Sequence, residues 1–259
     1  MRILIIDGNN LFARAWYACS KKQKNPNAAP KSPNVGQIVA LARQMLGGYK
    51  AEFLAERLYV CWDGAKDKDR LAIYPDYKKR EPKPEGYYHL IAEVRELVMN
   101  TQGFITVYDA DNEADDYIGL IARYYDSPRN DVFVISSDKD MYQLISRNVV
   151  VIRPSEPEGK RLYDKTVFKE KFGFTPDLFV DYYCLIGDTS DNIPGGKGIG
   201  EKTAAGLVKE FGSVESMFSL IDTVPVSARK KLLASKDDIL MSKRLMTLKA
   251  VPALPWMVF

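Results

Sequence analysis

Short apolar segments alternate with helical segments along the first part of this 259-residue chain, and several of them end in aspartate. Each has the length and composition of a buried strand. Strands that alternate with helices predict a parallel, doubly wound sheet. The sequence therefore predicts an α/β fold, followed from Asp164 onward by a mostly helical region. The predicted strands are 2–6, 57–62, 104–108, 132–135 and 149–152.

The segments between the strands divide into helices and polar loops. We expect Asp111 and Asn112 to cap the helix that begins at Glu113. The longer of the two polar loops, 66–85, has a length that is usually found in functional or mobile loops. The predicted helices are 36–46, 87–100, 113–125 and a short helix after Asp140, and the predicted loops are 21–33 and 66–85.

The composition excludes several classes of protein. No segment has the length of a membrane span or the pattern of a signal peptide. The three cysteines, Cys19, Cys61 and Cys184, are widely spaced and odd in number, which argues against a disulfide framework and for a reducing compartment. We interpret them as buried apolar residues. The single histidine, His89, is interpreted as a helix residue and not as a ligand.

Acidic residues follow the predicted strands and begin the helices after them. Asp7, Asp63 and Asp138 each follow the end of a strand. Because ligand sites in open α/β sheets form at the carboxyl ends of the strands, we expect these distant acids to meet. The remaining candidates lie at helix starts or in closely spaced pairs: Glu113, Asp115, Asp116, Asp140, Asp188 and Asp191.

Nine converging carboxylates would repel each other unless cations neutralised them. Oxygen ligands without histidine or cysteine favour hard cations such as Mg²⁺. Hydrolysis of phosphodiesters with two metal ions requires this kind of site, with the ions about 3.5–4 Å apart. Any one of these acids is equally well explained as a helix cap or a solvated loop residue. Their combination at four separate strand ends or helix starts predicts a metal site.

The net charge of +3 alone indicates little about partners. It gains meaning if nine of the 34 acids belong to one metal site, because the remaining 25 then face 37 lysines and arginines. A surface with that excess of positive charge would attract a polyanion.

The segment 187–204 combines two functional patterns. Asp188 and Asp191 stand three residues apart, directly before a glycine-rich turn that opens a helix carrying Lys202. Backbone N–H groups of glycines at a helix start favour phosphate. A metal pattern beside a phosphate pattern indicates a protein that acts on a phosphodiester.

Six segments closely resemble the 5′-nuclease family, which includes flap endonucleases, bacteriophage 5′-exonucleases and the 5′-nuclease domain of bacterial DNA polymerase I. The resemblance implies a PIN-like α/β nuclease core over 1–163, with an arch segment at 66–87. It also implies a helical region over 164–259, with a helix–hairpin–helix-type element for duplex DNA at 187–211. The segments, which occur in family order and cover nearly the whole chain, are 5–9, 62–63, 77–80, 113–116, 137–141 and 187–204.

The resemblance also implies the metal ions and their ligands. The ions would be two or more Mg²⁺, for which Mn²⁺ substitutes, with a further K⁺ at the hairpin. The first metal position would lie among Asp7, Asp63, Glu113, Asp115, Asp116 and Asp138, and the second would be served by Asp140, Asp188 and Asp191, directly or through water.

The arch segment departs from the family pattern. Lys78 resembles a basic residue that contacts the scissile phosphate, and Tyr77 resembles an aromatic residue that stacks on a base near the cut. Many relatives carry an arginine three residues after the lysine, whereas Arg80 follows Lys78 by two. On a helix this shift rotates the side chain by about 100°. The role of Arg80 is therefore open, with Lys79 as its alternative.

The predicted DNA contacts lie in the hairpin and at two arginines. Relatives more often carry valine at Gly196, so we expect a more flexible hairpin here. Arg14 and Arg70 stand where relatives have arginines that face DNA, although surface salt bridges explain both equally well. The hairpin residues predicted to contact the backbone of a duplex are Gly195, Lys197, Gly198, Gly200, Lys202 and Thr203.

The resemblance implies a Mg²⁺-dependent, structure-specific 5′-3′ exonuclease and 5′-flap endonuclease. Its substrate would be DNA with a 5′ single-stranded end or flap on a duplex, and an RNA/DNA hybrid is a further candidate. We expect a monomer with no membrane partner, in the cytoplasm of a bacterium or of a phage-infected cell. The preference between the two modes stays open, as does whether the chain is free-standing or an excised domain.

Two other classes of function compete with this interpretation. A non-catalytic DNA-binding protein on the same fold would lack some of the acids, and none of the expected ones is missing. A ribonuclease with a PIN-like core is the other, and the hairpin at 195–202, which suits duplex DNA, argues against it, although activity on RNA/DNA hybrids stays open.

Overall fold

A computed structural model describes residues 1–20, 33–64, 67–81, 83–84, 86–99, 103–255 and 257. Most of the predicted loop at 21–33 lies outside these residues. So do residues 66, 82 and 85 of the second predicted loop, and residue 100 at the end of a predicted helix.

Six strands form one sheet: β1 (Arg2–Asp7), β2 (Arg57–Trp62), β3 (Ile105–Tyr108), β4 (Asp131–Ile135), β5 (Val149–Ile152) and β6 (Leu162–Tyr163). Their order is β3-β2-β1-β4-β5-β6. All pairs are parallel except β5 with β6. The predicted parallel sheet is therefore confirmed. The antiparallel β6 was not predicted, because two residues are too few to show a period.

The described helices occupy both faces of the sheet and the region after it. They are α1 (Gly8–Cys19), α2 (Val35–Glu52), α3 (Lys68–Ile73), α4 (Tyr87–Met99), α5 (Ala114–Tyr125), α6 (Lys165–Phe172), α7 (Phe179–Ile186), α8 (Glu201–Phe211), α9 (Val214–Ser219), α10 (Val226–Ala234) and α11 (Lys236–Met246). Short 3₁₀ helices span Lys139–Leu144, Pro176–Leu178 and Ile221–Thr223. None of the helices in the described ranges has the length and apolar character needed to cross a membrane.

Two predictions about local structure were wrong. The predicted loop at 66–85 contains α3, which begins because the Asp67 carboxylate accepts hydrogen bonds from the amides of Asp69 and Arg70. Asp111 and Asn112 do not cap α5. Glu113 is the cap residue by position, but its side chain makes no cap hydrogen bond. That carboxylate is instead held by basic and tyrosine side chains of the candidate site.

The central strand β1 separates two hydrophobic cores. Since successive side chains of a strand point to opposite faces, Ile3 and Ile5 join one core while Leu4 and Ile6 join the other. Helices α1, α2 and α4 cover the second core. The first core contains α5 and continues into the helical region as far as α11. The predicted division between residues 163 and 164 stays a prediction, and the two parts share this core.

The register of the sheet brings the candidate acids to one edge. Ile6 of β1 pairs with Val60 of β2 on one side and with Ile135 of β4 on the other. The carboxyl ends of these three strands are therefore level. Asp7 is the last residue of β1, and Asp63 directly follows β2. Acids more than 50 residues apart thus meet because parallel strands end at the same edge.

The hairpin before α8 is tightly packed. Asp188 and Ile193 form an antiparallel bridge with N···O distances of 2.9 and 2.8 Å. A Cβ atom on Gly195 would lie 2.4 Å from the carbonyl carbon of Ile186, so the backbones approach as only glycine allows. Gly196 is buried, and a Cβ atom there would lie 2.5 Å from Cδ1 of Ile199. Side chains pack directly against Gly196, which disfavours the expected flexibility.

We expect Gly195→Ala to lower the free energy of unfolding by about 1–3 kcal/mol, because the added methyl group overlaps backbone that cannot rotate away. The control is Gly206→Ala in α8, where a Cβ atom would meet nothing within 4 Å. That change should raise stability by about 0.5–1 kcal/mol. Urea unfolding measures both, and equal stability of the two variants would contradict the close approach.

Candidate active site

A cleft of 910 Å³ opens at the carboxyl edge of the sheet. Its walls carry carboxylates from the ends of three strands and the start of α5, together with three basic side chains of the arch segment. The charged residues among its lining are the predicted acids Asp7, Asp63, Glu113, Asp115 and Asp138, together with Lys78, Arg80, Glu81, Lys83 and Arg95. The cleft therefore gathers five of the nine predicted acids, and the other four are placed around it as follows.

Asp7 and Asp63 are fixed by neighbours at the strand ends. The Asp7 carboxylate accepts hydrogen bonds from the Asn10 amide (2.9 Å) and the Ser136 hydroxyl (2.8 Å). Asp63 accepts from the Asn9 side chain (2.6 Å) and the Ala114 amide (2.9 Å). Burial, and then the charge of Asp63, raises the pKa of Asp7 to about 7. Burial also raises the pKa of Asp63.

Asp115, Asp138 and Asp140 form a second group of interacting acids. Burial, and then the charge of Asp138, raises the pKa of Asp115 well above its usual value, and the same two causes act on Asp140. The Oδ1 atom of Asp140 is buried and has no hydrogen-bond partner among the described residues. An unsatisfied buried carboxylate oxygen is costly, so this atom is a candidate ligand for a cation.

The hairpin supplies the last two acids. Burial acts to raise the pKa of Asp188, but hydrogen bonds from Ser190 and from the Tyr183 hydroxyl (2.9 Å) keep it below its usual value. Burial raises the pKa of Asp191, although Lys78 and Arg80 act against it. Asp191 thus faces the basic residues of the arch, whereas Asp188 is held by its own loop and by α7.

Lys78 and Arg80 lie against these acids. The Lys78 ammonium is 3.0 Å from Oε2 of Glu113 and 3.8 Å from Oδ2 of Asp191. The Arg80 guanidinium bonds to the Asp191 carboxylate, and its Nε donates to the carbonyl of Ser190 (2.8 Å). Lys79 points away and pairs with Asp76 at the surface. Residues 77–80 are not helical, so the predicted rotation of Arg80 was wrong: Arg80, not Lys79, reaches the cleft.

The oxygen donors of the site are of the type that hard cations prefer. The described carboxylates, however, do not surround a common position for an ion. In the described part of the chain, no group of three or more Asp, Glu, His or Cys side chains is arranged to hold an ion as it stands. Carboxylates that lie close together repel each other unless positive charge neutralises them. Here Lys78 and Arg80 supply part of that positive charge. The unpaired oxygen of Asp140 and the all-oxygen donor set are what a magnesium-type site requires.

Asp116 does not face the cleft, contrary to its prediction as a metal ligand. Its carboxylate is fully buried and pairs with Arg70 through both oxygens, at 2.7 and 2.8 Å. The Lys249 amide donates to the same carboxylate (2.9 Å). With its acceptors filled by a bidentate arginine and a backbone N–H, Asp116 has little capacity left for a cation.

Arg70 was predicted to face DNA or to lie in a surface salt bridge, and both expectations were wrong. Its side chain is buried and bonds to Asp67, Glu113 and Asp116 at 2.7–3.1 Å. Its Nε donates to the Leu245 carbonyl at the end of α11 (3.1 Å). Arg70 therefore joins the start of α3, the acids of α5 and the end of α11.

Tyr77 and Arg14, which were also predicted to contact DNA, are engaged with other parts of the protein. Tyr77 is 5% exposed, its ring lies in the first core, and its hydroxyl donates to Glu113 (3.1 Å). Its ring is therefore not free to stack on a base, because it supports the acid instead. Arg14 is half-buried and donates to the hydroxyl of Tyr49 on α2, and it forms no ion pair with any described residue.

The hairpin presents an exposed set of donors. Lys197, Gly198, Gly200, Lys202 and Thr203 are all exposed. The amides of Gly198 and Gly200 donate no hydrogen bond to any described residue. These groups can meet a phosphate.

Gly195 and Gly196 differ from those residues. Both pack inward, and the Gly196 amide already bonds to the Leu185 carbonyl (2.8 Å). Gly195, predicted as a DNA contact, therefore shapes the hairpin.

Ser136 is a site residue that the sequence reasoning missed. It is fully buried, donates to Asp7, and accepts a hydrogen bond from the Asp138 amide (3.0 Å). It thus joins the acids that follow β1 and β4. The available signal was a small hydroxyl residue directly after a buried strand and two positions before an acid.

Comparison with known proteins agrees with this geometry. Residues 2–173 match the family model described as the 5′-3′ exonuclease N-terminal resolvase-like domain, and residues 174–257 match the 5′-3′ exonuclease C-terminal SAM fold. Together these matches cover nearly the whole chain. The chain belongs to the 5′-3′ exonuclease family.

Similar proteins include the thermostable DNA polymerase I of Thermus thermophilus, 34% identical over 245 residues (94% of this chain). DNA polymerase I of Bacillus subtilis strain 168 is 34% identical over 251 residues (95% of this chain). This chain spans 28% of the length of each polymerase. The structure of T5 5′-exonuclease with bound zinc ions matches with a TM-score of 0.78 at 24% identity, over 96% of this chain and 90% of that one. The predicted fold class is thereby confirmed.

We expect Arg70→Ala to lower the free energy of unfolding by about 3–5 kcal/mol, because it leaves buried carboxylates without their partner. Lys68→Ala is the matched control from the same helix. Lys68 is 83% exposed and pairs with Asp111 at 3.3 Å, so its loss should cost less than about 1 kcal/mol. Chemical denaturation compares them, and a small effect at Arg70 would show that the network contributes little.

The raised pKa of Asp7 makes the stability of the metal-free protein depend on pH. Because its pKa rises from 3.8 to about 7 on folding, ionisation favours the unfolded chain as pH increases through that window. Asp7→Asn should therefore melt higher than wild type at pH 8, and the gap should narrow toward pH 4. Thermal unfolding in EDTA measures the two melting temperatures. A difference between them that does not change with pH would rule out ionisation of Asp7 as its source.

Proposed function

We propose that this chain is a divalent-metal-dependent, structure-specific 5′-nuclease that hydrolyses phosphodiester bonds in DNA. The observation that carries the proposal is the convergence of carboxylates from β1, β2, β4 and α5 on one cleft, beside the Asp188–Asp191 turn. Membership of the 5′-3′ exonuclease family supports it. So does the T5 D15 flap endonuclease, which is described in complex with DNA and metal ions.

Mg²⁺ is the proposed ion, in two or more positions and replaceable by Mn²⁺, because the donors are all oxygens. When bound, such ions activate water and neutralise charge on the phosphate. The residues proposed for the first position are Asp7, Asp63, Glu113, Asp115 and Asp138, and those for the second are Asp140, Asp188 and Asp191. Asp116 is proposed to position Arg70, which in turn bonds to Glu113 of the first metal position.

Lys78 and Arg80 are the proposed contacts to the scissile phosphate. Both carry positive charge directly at the mouth of the carboxylate cleft, where Glu113 and Asp191 now hold them. A fixed cation aimed at a phosphate stabilises the negative charge that develops during hydrolysis. Metal ions at the carboxylates would release the two side chains to meet the substrate.

The proposed substrate is duplex DNA with a 5′ single-stranded end or flap. Lys197, Lys202 and the free amides of Gly198 and Gly200 would grip backbone phosphates, so sequence preference should be weak. K⁺ at the hairpin, activity on RNA/DNA hybrids and a monomeric state belong to the same proposal. So does a bacterial or phage-infected cytoplasm, consistent with three free cysteines.

We expect Asp138→Ala to abolish cleavage while binding to flap DNA survives, because the residue lines the carboxylate cleft and is not one of the exposed donors of the hairpin. Asp131→Ala, at the exposed start of β4, the strand that precedes Asp138, is the control and should cleave normally. The assay uses 5′-labelled flap, nicked and blunt duplexes and a matched RNA flap, with and without Mg²⁺. Normal turnover by Asp138→Ala at saturating Mg²⁺ would reject the metal assignment, and preference for RNA would favour a ribonuclease.

A further inference from the structure

A second cavity, of 440 Å³, lies between the 3₁₀ helix Lys139–Leu144 and helices α6, α7 and α8. It shares no lining residue with the carboxylate cleft. Its walls are aromatic: Phe172 is half-buried, and the other four rings, Tyr142, Phe179, Tyr182 and Tyr183, are only 0–5% exposed. We call it the aromatic pocket, and neither the metal cleft nor the hairpin accounts for it.

The lining of the aromatic pocket is strongly basic. Lys139, Arg153, Lys171 and Lys202 line it, against the single acid Glu201. Arg153 and Lys171 are paired with Glu156, which lies outside the lining, at 3.1 and 3.7 Å. Lys139 and Lys202 are exposed and form no ion pair with any described residue. The buried Nε of Arg153 has no hydrogen-bond partner within the described residues. The pocket therefore has unpaired positive charge at Lys139 and Lys202.

Aromatic walls under a basic rim match a specific class of ligand. A planar base packs against aromatic rings, and a phosphate pairs with lysine or arginine. A lipid tail would need no cations, and a bare phosphate would need no aromatic wall. We propose that the aromatic pocket binds a nucleotide, with its base against the aromatic wall and its phosphate on Lys139, Lys171 and Lys202.

The position of the pocket connects it to both DNA-facing parts of the chain. Tyr183 forms one wall, and its hydroxyl donates to Asp188 (2.9 Å). Lys139 stands between Asp138 and Asp140, with its ammonium 5.8 Å from the Tyr183 ring. Lys202 lies in the first turn of α8, after the hairpin. The pocket therefore shares Lys202 with the hairpin, and its wall residues Tyr183 and Lys139 lie beside acids of the candidate site.

The nucleotide can come from two sources. It is either a unit of the bound DNA strand or a free 5′-mononucleotide, the product of exonucleolytic cleavage. The inference rests on the proposed function, since DNA supplies the nucleotide in both cases. The test therefore records binding and cleavage separately.

The experiment is photo-cross-linking with 5-iodo-dUMP, and in parallel with a 5′-flap duplex carrying 5-iododeoxyuridine at successive positions. Cross-linked peptides are identified by mass spectrometry in EDTA, so no cleavage is needed. We expect cross-links at Phe172, Tyr182 or Tyr183. Lys171→Gln should reduce them by on the order of tenfold, because a charge-assisted bond to phosphate is lost.

Two further variants control for indirect effects. Lys169→Gln removes an exposed lysine of the same helix that does not line the pocket, and it should cross-link as wild type does. Ala205→Leu fills the pocket from α8 without changing its charge, and it should also reduce the cross-links. Melting temperatures show whether each variant is folded.

The outcomes separate the two proposals. Cross-links from the duplex alone assign the pocket to the strand, and cross-links from 5-iodo-dUMP assign it to the free nucleotide. Protein that cleaves flaps but gives no pocket cross-link with either probe overturns the inference and leaves the nuclease standing. Protein that cross-links in the pocket but shows no Mg²⁺-dependent cleavage supports the pocket and counts against the proposed function.

Discussion

Repulsion among carboxylates is the constraint around which the carboxyl edge of the sheet is built. Parallel pairing of β1 with β2 and β4 forces Asp7, Asp63 and the acids after β4 into one region, where burial raises the pKa of several of them. Positive charge has to offset this cost, and the chain supplies it in two ways. Lys78 and Arg80 meet the acids from the open side, whereas Arg70 meets Asp116 from within the protein. In the proposed function, metal ions and a phosphate would exchange with Lys78 and Arg80 on the open side, whereas Arg70 stays paired on the buried side.

The fold could be predicted because its signals are local. A strand such as β1 shows its apolar run within a few residues, and alternation with helices then dictates parallel pairing. The level ends of three strands follow from that pairing, so the meeting of Asp7, Asp63 and Asp138 was also predictable. Failures occurred where a local pattern was too short or too common. The two residues of β6 show no period, and α3 depends on the cap at Asp67 within a segment that otherwise reads as polar loop.

The sequence predicted which types of residue gather at the site, but only partly what each of them contacts. Asp115 and Asp116 are adjacent acids in the sequence, yet a helix turns neighbouring side chains by about 100°, so Asp115 faces the cleft while Asp116 meets Arg70. Likewise, Tyr77 and Lys78 are adjacent, but one is buried and the other reaches the acids. These differences depend on partners far away in the chain, such as Leu245 and Lys249 for Arg70 and Asp116. No spacing rule within one segment contains that information.

The bonds from Arg70 to the carbonyls of Leu245 and Thr247 join residues 175 and 177 positions apart. Contacts of such long sequence separation form late, because the intervening chain must be closed first. On the ribosome, the strands and acids of the sheet emerge long before α11 does. A nascent chain therefore carries the carboxylates of its cleft without the last clamp on Arg70. The order of synthesis thus delays completion of this network until α11 and the residues directly after it have been made.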